Sequence, residues 1–190
     1  SGDKGTSDAS MKPEVLAKIR EQEQRAAAQV LGVREVVFLG YPDQGLEDTP
    51  EFRKEIVRQI RRYRPETVAT ADPHRRYLWH RDHRITGRVT LDAIFPYARD
   101  IHAYPELLKE GLQPHKVREV LFWASEEPNY FSDITDTFDL KIAALLCHKS
   151  QMGHRSRADL EERLKERAQE IAKGTGYGLA EAFYRVEIAY

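Results

Sequence analysis

The 190-residue chain carries 41% hydrophobic side chains, enough for a substantial buried core and for a single globular domain over residues 1–190. Lys and Arg number 30 against 31 Asp and Glu, a net charge of -1, which excludes a global attraction to nucleic acid or to an anionic membrane and points to a small, locally recognised ligand. The single cysteine, Cys147, excludes an intrachain disulfide and a cysteine-rich metal knuckle, so any metal is held by histidines and carboxylates; it also suits a reducing, cytoplasmic setting.

The opening Ser1-Gly2-Asp3-Lys4-Gly5 reads as a polar loop of the kind that follows a strand, within a loop over residues 1–12, and implies that an earlier strand precedes it. Pro13 and Glu14 suit the first turn of a helix whose apolar side includes Leu16, Ile19, Ala26, Ala27 and Val30 and which ends at Gly32. Val36–Leu39 is a short apolar run closed by Gly40 and Pro42, and a buried strand is expected there. Thr49-Pro50-Glu51 starts a second helix, Phe52, Ile56, Ile60 and Tyr63 keep its spacing, and Pro65 stops it. Thr67–Ala71 reads as a strand, His83–Tyr97 as a helix, and Val117–Trp123 as a strand after a Pro-containing stretch to about Pro114. Asp136–His148 and Ser156–Ala172 read as helices, with the tract 155–167 a solvated face of mixed charge, and Phe183–Ile188 as a strand. Alternation of helices and strands at these lengths predicts an α/β fold, a Rossmann-like, doubly wound and mostly parallel sheet with helices on both faces. In such sheets ligands gather at the carboxyl ends of the strands, which places the 40–46 and 72–80 loops at one rim.

The chemistry-bearing block is His80-Arg81-Asp82-His83. With a helix starting near His80, the two histidines stand at i and i+3 on one face and can serve one pocket. Asp82 is the carboxylate that can fix the orientation of an imidazole, and the helix N-terminus adds partial positive charge where an oxyanion develops. The plain alternative is a solvated helix start. Asp43, in Tyr41-Pro42-Asp43-Gln44-Gly45, can accept hydrogen bonds from sugar hydroxyls or simply make a turn. Arg20 can reach a ligand or pair with Glu21 or Glu23. Cys147 follows Ala-Ala-Leu-Leu and reads as a buried structural thiol, and His154 has no partner pattern.

Several of these blocks together resemble the PIG-L (LmbE-like) family of zinc-dependent N-acetylglucosaminyl deacetylases. They are Gly2-Asp3-Lys4-Gly5, Arg20-x-x-Glu23, Phe38-Leu39-Gly40-Tyr41-Pro42-Asp43, His80-Arg81-Asp82-His83, and Lys141 with His148-Lys149-Ser150-Gln151. The resemblance implies a hydrolase in which zinc-activated water removes the acetyl group of an N-acetylated amino sugar. His83 is then the zinc ligand, His80 the group that stabilises the oxyanion, Asp82 its partner, and Arg20 and Asp43 contacts to the sugar. The family's His-Pro-Asp-Asp motif, source of two more zinc ligands and the general base, does not occur in the 190 residues. The resemblance therefore implies an N-terminally incomplete domain that lacks the family's first strand-helix-strand unit ahead of Ser1, and an unpaired sheet edge that favours self-association. The competing expectation is a sugar-binding α/β module without a metal.

Overall fold

The computed structural model describes residues 1–153 and 156–189; His154 and Arg155, the first residue of the charged tract, lie outside them. The chain divides into two compact units, Ser1–Gln44 with Phe131–Glu181, and Gly45–Tyr130 with Ala182–Tyr190.

In the first unit, α1 (Pro13–Val30) has Pro13 in its first turn and buries Leu16, Ala27 and Ala28. It closes where Gly32, at φ 68°, lets Val33 N–H return to the Ala28 carbonyl at 2.9 Å. Glu23 is buried on the same helix, where its carboxylate accepts from Ser150 N–H at 2.7 Å and Ser150 Oγ at 2.6 Å. A turn at Thr135–Thr137 leads into α5 (Phe138–Leu146), which packs on α1 and on α7 (Arg157–Ala172). The core is Ile134, Phe138, Ile142, Ala168 and Leu179. Ser156 caps α7 by accepting from Asp159 N–H, and Leu160, Ala168 and Ala172 form its buried stripe, leaving the charges on the outer side.

In the second unit, α2 (Pro50–Tyr63) is capped by the Thr49 hydroxyl, which accepts from Phe52 N–H, and ends at Arg64 in the left-handed region at φ 51°. β1 (Thr67–Ala71) follows, then α3 (Arg81–Asp92), a wide turn at Ala93–Tyr97, and the one-turn α4 (Glu106–Lys109). The core gathers Val57 and Ile60 from α2, Ala93, Ile94, Ala98, Leu107 and Val117, and Val120 and Phe122 from β2 (Glu119–Trp123). The Arg61 side chain is 2% exposed, and its guanidinium donates to the carbonyls of Ala98, Tyr97, Asp100 and Ala103 at 2.9–3.2 Å. Burial lowers the pKa of this guanidinium.

β1 and β2 are parallel, with Thr67 opposite Glu119 and Ala71 opposite Trp123. β2 and β4 (Ala180–Glu187) are antiparallel, with Phe122 opposite Tyr184. The strand order is β1-β2-β4-β3, where β3 is Tyr130–Asp133. Hydrogen bonds from Asn129 to Phe183 and from Ile134 to Leu179 show that β3 also runs against β4. The sheet is therefore mixed and not mostly parallel as expected: β1–β2 is parallel, whereas β2–β4 and β3–β4 are antiparallel.

Most expected elements are present. Two differ. Val36–Leu39 forms no strand: it has no ladder partner among the described residues, and Val37 is 41% exposed, so its apolar content has no neighbouring strand to stabilise an extended form. The helix expected over His83–Tyr97 begins at Arg81 and is regular to Asp92, because Phe95 takes φ -140° and ψ 117° ahead of the cis Phe95–Pro96 bond.

Candidate active site

The site in the second unit is built where β1 gives way to α3. Gly87 makes this possible: a Cβ there would lie 2.1 Å from the Ala71 carbonyl oxygen and 3.1 Å from Pro73 Cδ. Without a side chain at this position, α3 approaches the carboxyl end of β1 at backbone contact. At that strand end Asp72 is buried; its N–H donates to the Trp123 carbonyl at 3.1 Å, and its Oδ1 accepts from His74 N–H at 2.8 Å. The loop after it is tied down further along, where Arg76 N–H donates to Glu126 Oε2 at 3.0 Å and the Arg76 guanidinium pairs with Glu127. Arg81 anchors the start of α3, donating to the Leu46 carbonyl and pairing with Glu47 at 2.5 Å.

His80 is the N-cap of α3, and its Nδ1 accepts from Asp82 N–H at 3.2 Å. An imidazole whose Nδ1 accepts carries its proton, when neutral, on Nε2, so this cap leaves Nε2–H as its donor. The rings of His80 and His83 lie 5.1 Å apart, as their spacing of one helical turn predicts. Asp82 is buried, and a carboxylate oxygen lies within 4.8 Å of a His80 ring nitrogen. A neighbouring Arg81 Nη1 stands 3.8 Å from Asp82 Oδ1.

Two residues absent from the sequence reading hold this pair. Trp79 meets His83 edge-on at 5.0 Å and Trp123 at 5.5 Å, and His83 meets Trp123 at 5.4 Å. The two tryptophan rings form an aromatic wall beside His83 that limits its rotation. Arg75 lies over Trp79 at 4.7 Å, on the side of the loop. Trp79 directly precedes His80, a proximity that could have singled it out; Trp123 enters only through the β1–β2 pairing.

Arg20 and Asp43 belong to the first unit. The Arg20 guanidinium donates to the Gly2 carbonyl and, at 2.6 Å, to the Gly5 carbonyl, and a Cβ on Gly2 would stand 2.8 Å from its Nη1. Arg20 thus clamps the glycine turn instead of pairing with Glu21 or Glu23. Asp43 N–H donates to Asp3 Oδ1 at 2.7 Å, and Gln44 follows in the left-handed region at φ 60°. Hydrogen bonds from the Ser1 hydroxyl and from Asp43 N–H hold the Asp3 carboxyl below its ordinary pKa. Lys141, quoted with the family blocks, pairs with Glu181.

Residues 1–94 match the family described as PIG-L, GlcNAc-PI de-N-acetylase. A diacetylchitobiose deacetylase of Thermococcus kodakarensis is 37% identical over 150 residues, covering 79% of this chain and 56% of that protein. A probable N-acetyl-alpha-D-glucosaminyl L-malate deacetylase 2 of Bacillus cereus is 28% identical over 144 residues, covering 73% and 60%. The chain thus spans little more than half the length of these two relatives. Among solved structures, the N,N'-diacetylchitobiose deacetylase of Pyrococcus horikoshii superposes with a TM-score of 0.89 at 30% identity, over 98% of this chain and 70% of that one. Strand-end histidines at a helix N-terminus, the glycine-turn clamp and this similarity across 70% of a solved deacetylase agree: the chain belongs to the PIG-L, or GlcNAc-PI de-N-acetylase, family.

Proposed function

We propose that the protein is a hydrolase that removes the acetyl group from an N-acetylglucosamine-type sugar or conjugate, using water activated by zinc. The observation that carries the proposal is the capping bond at His80, which fixes an Nε2–H donor at a helix N-terminus one turn from a second imidazole. The named activities of the relatives, diacetylchitobiose deacetylase and glucosaminyl malate deacetylase, support the acetylated amino sugar as substrate class. The parallel β1–β2 pair, whose carboxyl ends lead into Asp72 and Trp123, supports placing these strands in a doubly wound layer.

An imidazole nitrogen is a donor that a catalytic zinc takes, and His83 supplies one at the N-terminus of α3, next in sequence to the Asp82 carboxylate. In the proposal His83 is a zinc ligand, held against Trp79 and Trp123. Zinc would supply Lewis acidity and a nucleophilic water at neutral pH. His80 donates Nε2–H to the oxygen that becomes negative when the acetamide carbonyl is attacked, and the positive end of α3 reinforces that donor. Asp82 keeps the His80 ring oriented through its backbone N–H. Asp43 contacts the sugar, and Arg20 serves the same purpose by holding the glycine turn.

Acetate release from N,N'-diacetylchitobiose, measured with zinc, with chelator and with zinc restored, tests the proposal. In a protein that also carries the family's first zinc motif, His83→Ala is expected to abolish zinc binding. His80→Ala is expected to retain zinc and lose about 100-fold in kcat or more, the usual loss on removing one oxyanion donor. Wild-type turnover in either variant would overturn the assignment.

A further inference from the structure

Beside the loop that carries His80, the second unit holds a cavity of about 480 Å3 that includes neither His80, Asp82 nor His83 in its walls. Its floor is apolar and is dictated by strand register. Phe122 and Tyr184 are opposite one another in the β2–β4 ladder, and Val186, two residues further along β4, presents its side chain to the same face. Leu91 of α3 adds to the apolar lining. Tyr184 is 39% exposed while Phe122 is 4% exposed, so the phenol ring is the part of the floor open to a ligand.

The rim is polar and carries both signs. Arg75, Glu126 and Ser125 line it beside Asp72, while Arg76 is neutralised by Glu127. Glu126 uses Oε2 on Arg76 N–H and Asp72 uses Oδ1 on His74 N–H, and a carboxylate oxygen accepts more than one bond. Arg75 Nε is buried and has no hydrogen-bond partner among the described residues, although the guanidinium lies over Trp79. A buried donor left in this way is costly unless a ligand or water meets it.

These features discriminate among ligand classes. A small anion would gain Arg75 but face Asp72, Glu126 and Glu127, and a cation would face Arg75. A purely apolar molecule would leave the charged rim desolvated without partners. A neutral polyol ring with one apolar face satisfies all of them, since its C–H face packs on Tyr184 and its hydroxyls donate to carboxylates and accept from Arg75. A volume of about 480 Å3 falls in the usual range of small-ligand sites. We propose that this cavity is a second carbohydrate-binding site, which takes a pyranose ring between Tyr184 and the Arg75–Glu126 rim.

Titration calorimetry with N-acetylglucosamine tests it, using wild type, Tyr184→Ala, Glu126→Gln and His80→Ala, each checked for an unchanged melting temperature. Glu126→Gln keeps the volume of the rim, so the proposal stays falsifiable if Tyr184→Ala does not fold. Tyr184→Ala and Glu126→Gln are expected to weaken about tenfold the binding event assigned to the cavity, and that event persists in His80→Ala whether or not the one at the proposed active site is lost. Wild-type affinity in both cavity variants, or loss of all sugar binding in His80→Ala alone, would overturn the proposal. Arg75-dependent binding of acetate or benzoate without sugar binding would also overturn it. Because binding is read without turnover and in His80→Ala, failure of the deacetylase proposal and failure of this one give different results.

Discussion

Gly87→Ala is the substitution whose sign is most informative. In the middle of an exposed helix, Gly to Ala stabilises by about 1 kcal/mol, because glycine loses more backbone freedom on folding. Gly87 is a residue of α3, but a Cβ there would come 2.1 Å from the Ala71 carbonyl oxygen, 0.9 Å inside the 3.0 Å that real Cβ atoms essentially never cross. The opposing atoms are backbone and the Pro73 ring, so no flexible side chain can move aside. Forcing a methyl into such a contact costs about 1–3 kcal/mol and commonly more when backbone must shift. Because the opposing atom is backbone the upper part of that range applies, about 2–3 kcal/mol, and with the propensity gain of about 1 kcal/mol subtracted a net loss of about 1–2 kcal/mol is expected, or roughly 2–8 °C in melting temperature for a chain of this size. Urea denaturation and thermal melting measure both. The same displacement moves the N-terminus of α3, and with it His80 and His83 together, away from the carboxyl end of β1. A variant as stable as wild type, or more stable, would refute the close-approach argument and return Gly87 to an ordinary helical glycine.

Arg61→Met keeps much of the side-chain volume but leaves the carbonyls of Tyr97, Ala98, Asp100 and Ala103 without their donor; a loss above about 3 kcal/mol is expected in urea denaturation. Glu23→Ala should cost about 1.5–3 kcal/mol, since it removes a buried carboxylate bonded twice to Ser150, whereas Glu23→Gln should retain part of that, as read by thermal melting. Glu119 is held below its ordinary pKa by the Thr67 hydroxyl and by Arg185, each at 2.6 Å. A carboxylate with a lowered folded-state pKa adds stability above its unfolded pKa and loses it as pH falls through the folded value. The melting difference between wild type and Glu119→Gln should therefore be largest near pH 7 and vanish in acid below the ordinary carboxylate range. A difference that persists unchanged in acid would mean that the ion pair is not its source.

Where the sequence carried a local signal, the fold was legible. Pro13, Thr49 with Pro50, and Ser156 mark helix starts that the structure places at those caps, and Thr67–Ala71 is a strand over the residues expected. Elements defined by partners were harder. Val36–Leu39 has the composition of a strand, and no described neighbour pairs with it. Tyr130–Asp133 lacks an apolar alternation, yet it is a strand because β4 offers it a ladder. The four-residue helix Glu106–Lys109 is shorter than any periodicity can reveal.

The site followed the same division. One helical turn between His80 and His83 was readable from spacing, and the 5.1 Å between their rings agrees. The capping bond to His80 Nδ1 depends on where α3 starts, and the wall of Trp79 and Trp123 depends on strand pairing. Arg20 was readable only as an arginine within reach of a ligand or of Glu21 and Glu23, and its attachment to Gly2 and Gly5 requires the first helix to lie beside a turn 15 to 18 residues earlier.

The four carbonyls gathered by Arg61 also bear on how this part of the molecule can be altered. Residues 97–103 are held by turn bonds, such as Asp100 N–H to the Pro96 carbonyl and Ala103 N–H to the Asp100 carbonyl, and by one side chain donated from α2, 36 to 42 positions earlier. Helix and segment are therefore a single inherited module. A chimera that exchanges the segment while keeping α2 works only if the incoming chain offers carbonyls at the same four points, whereas exchanging both together carries the instruction along with the shape it specifies.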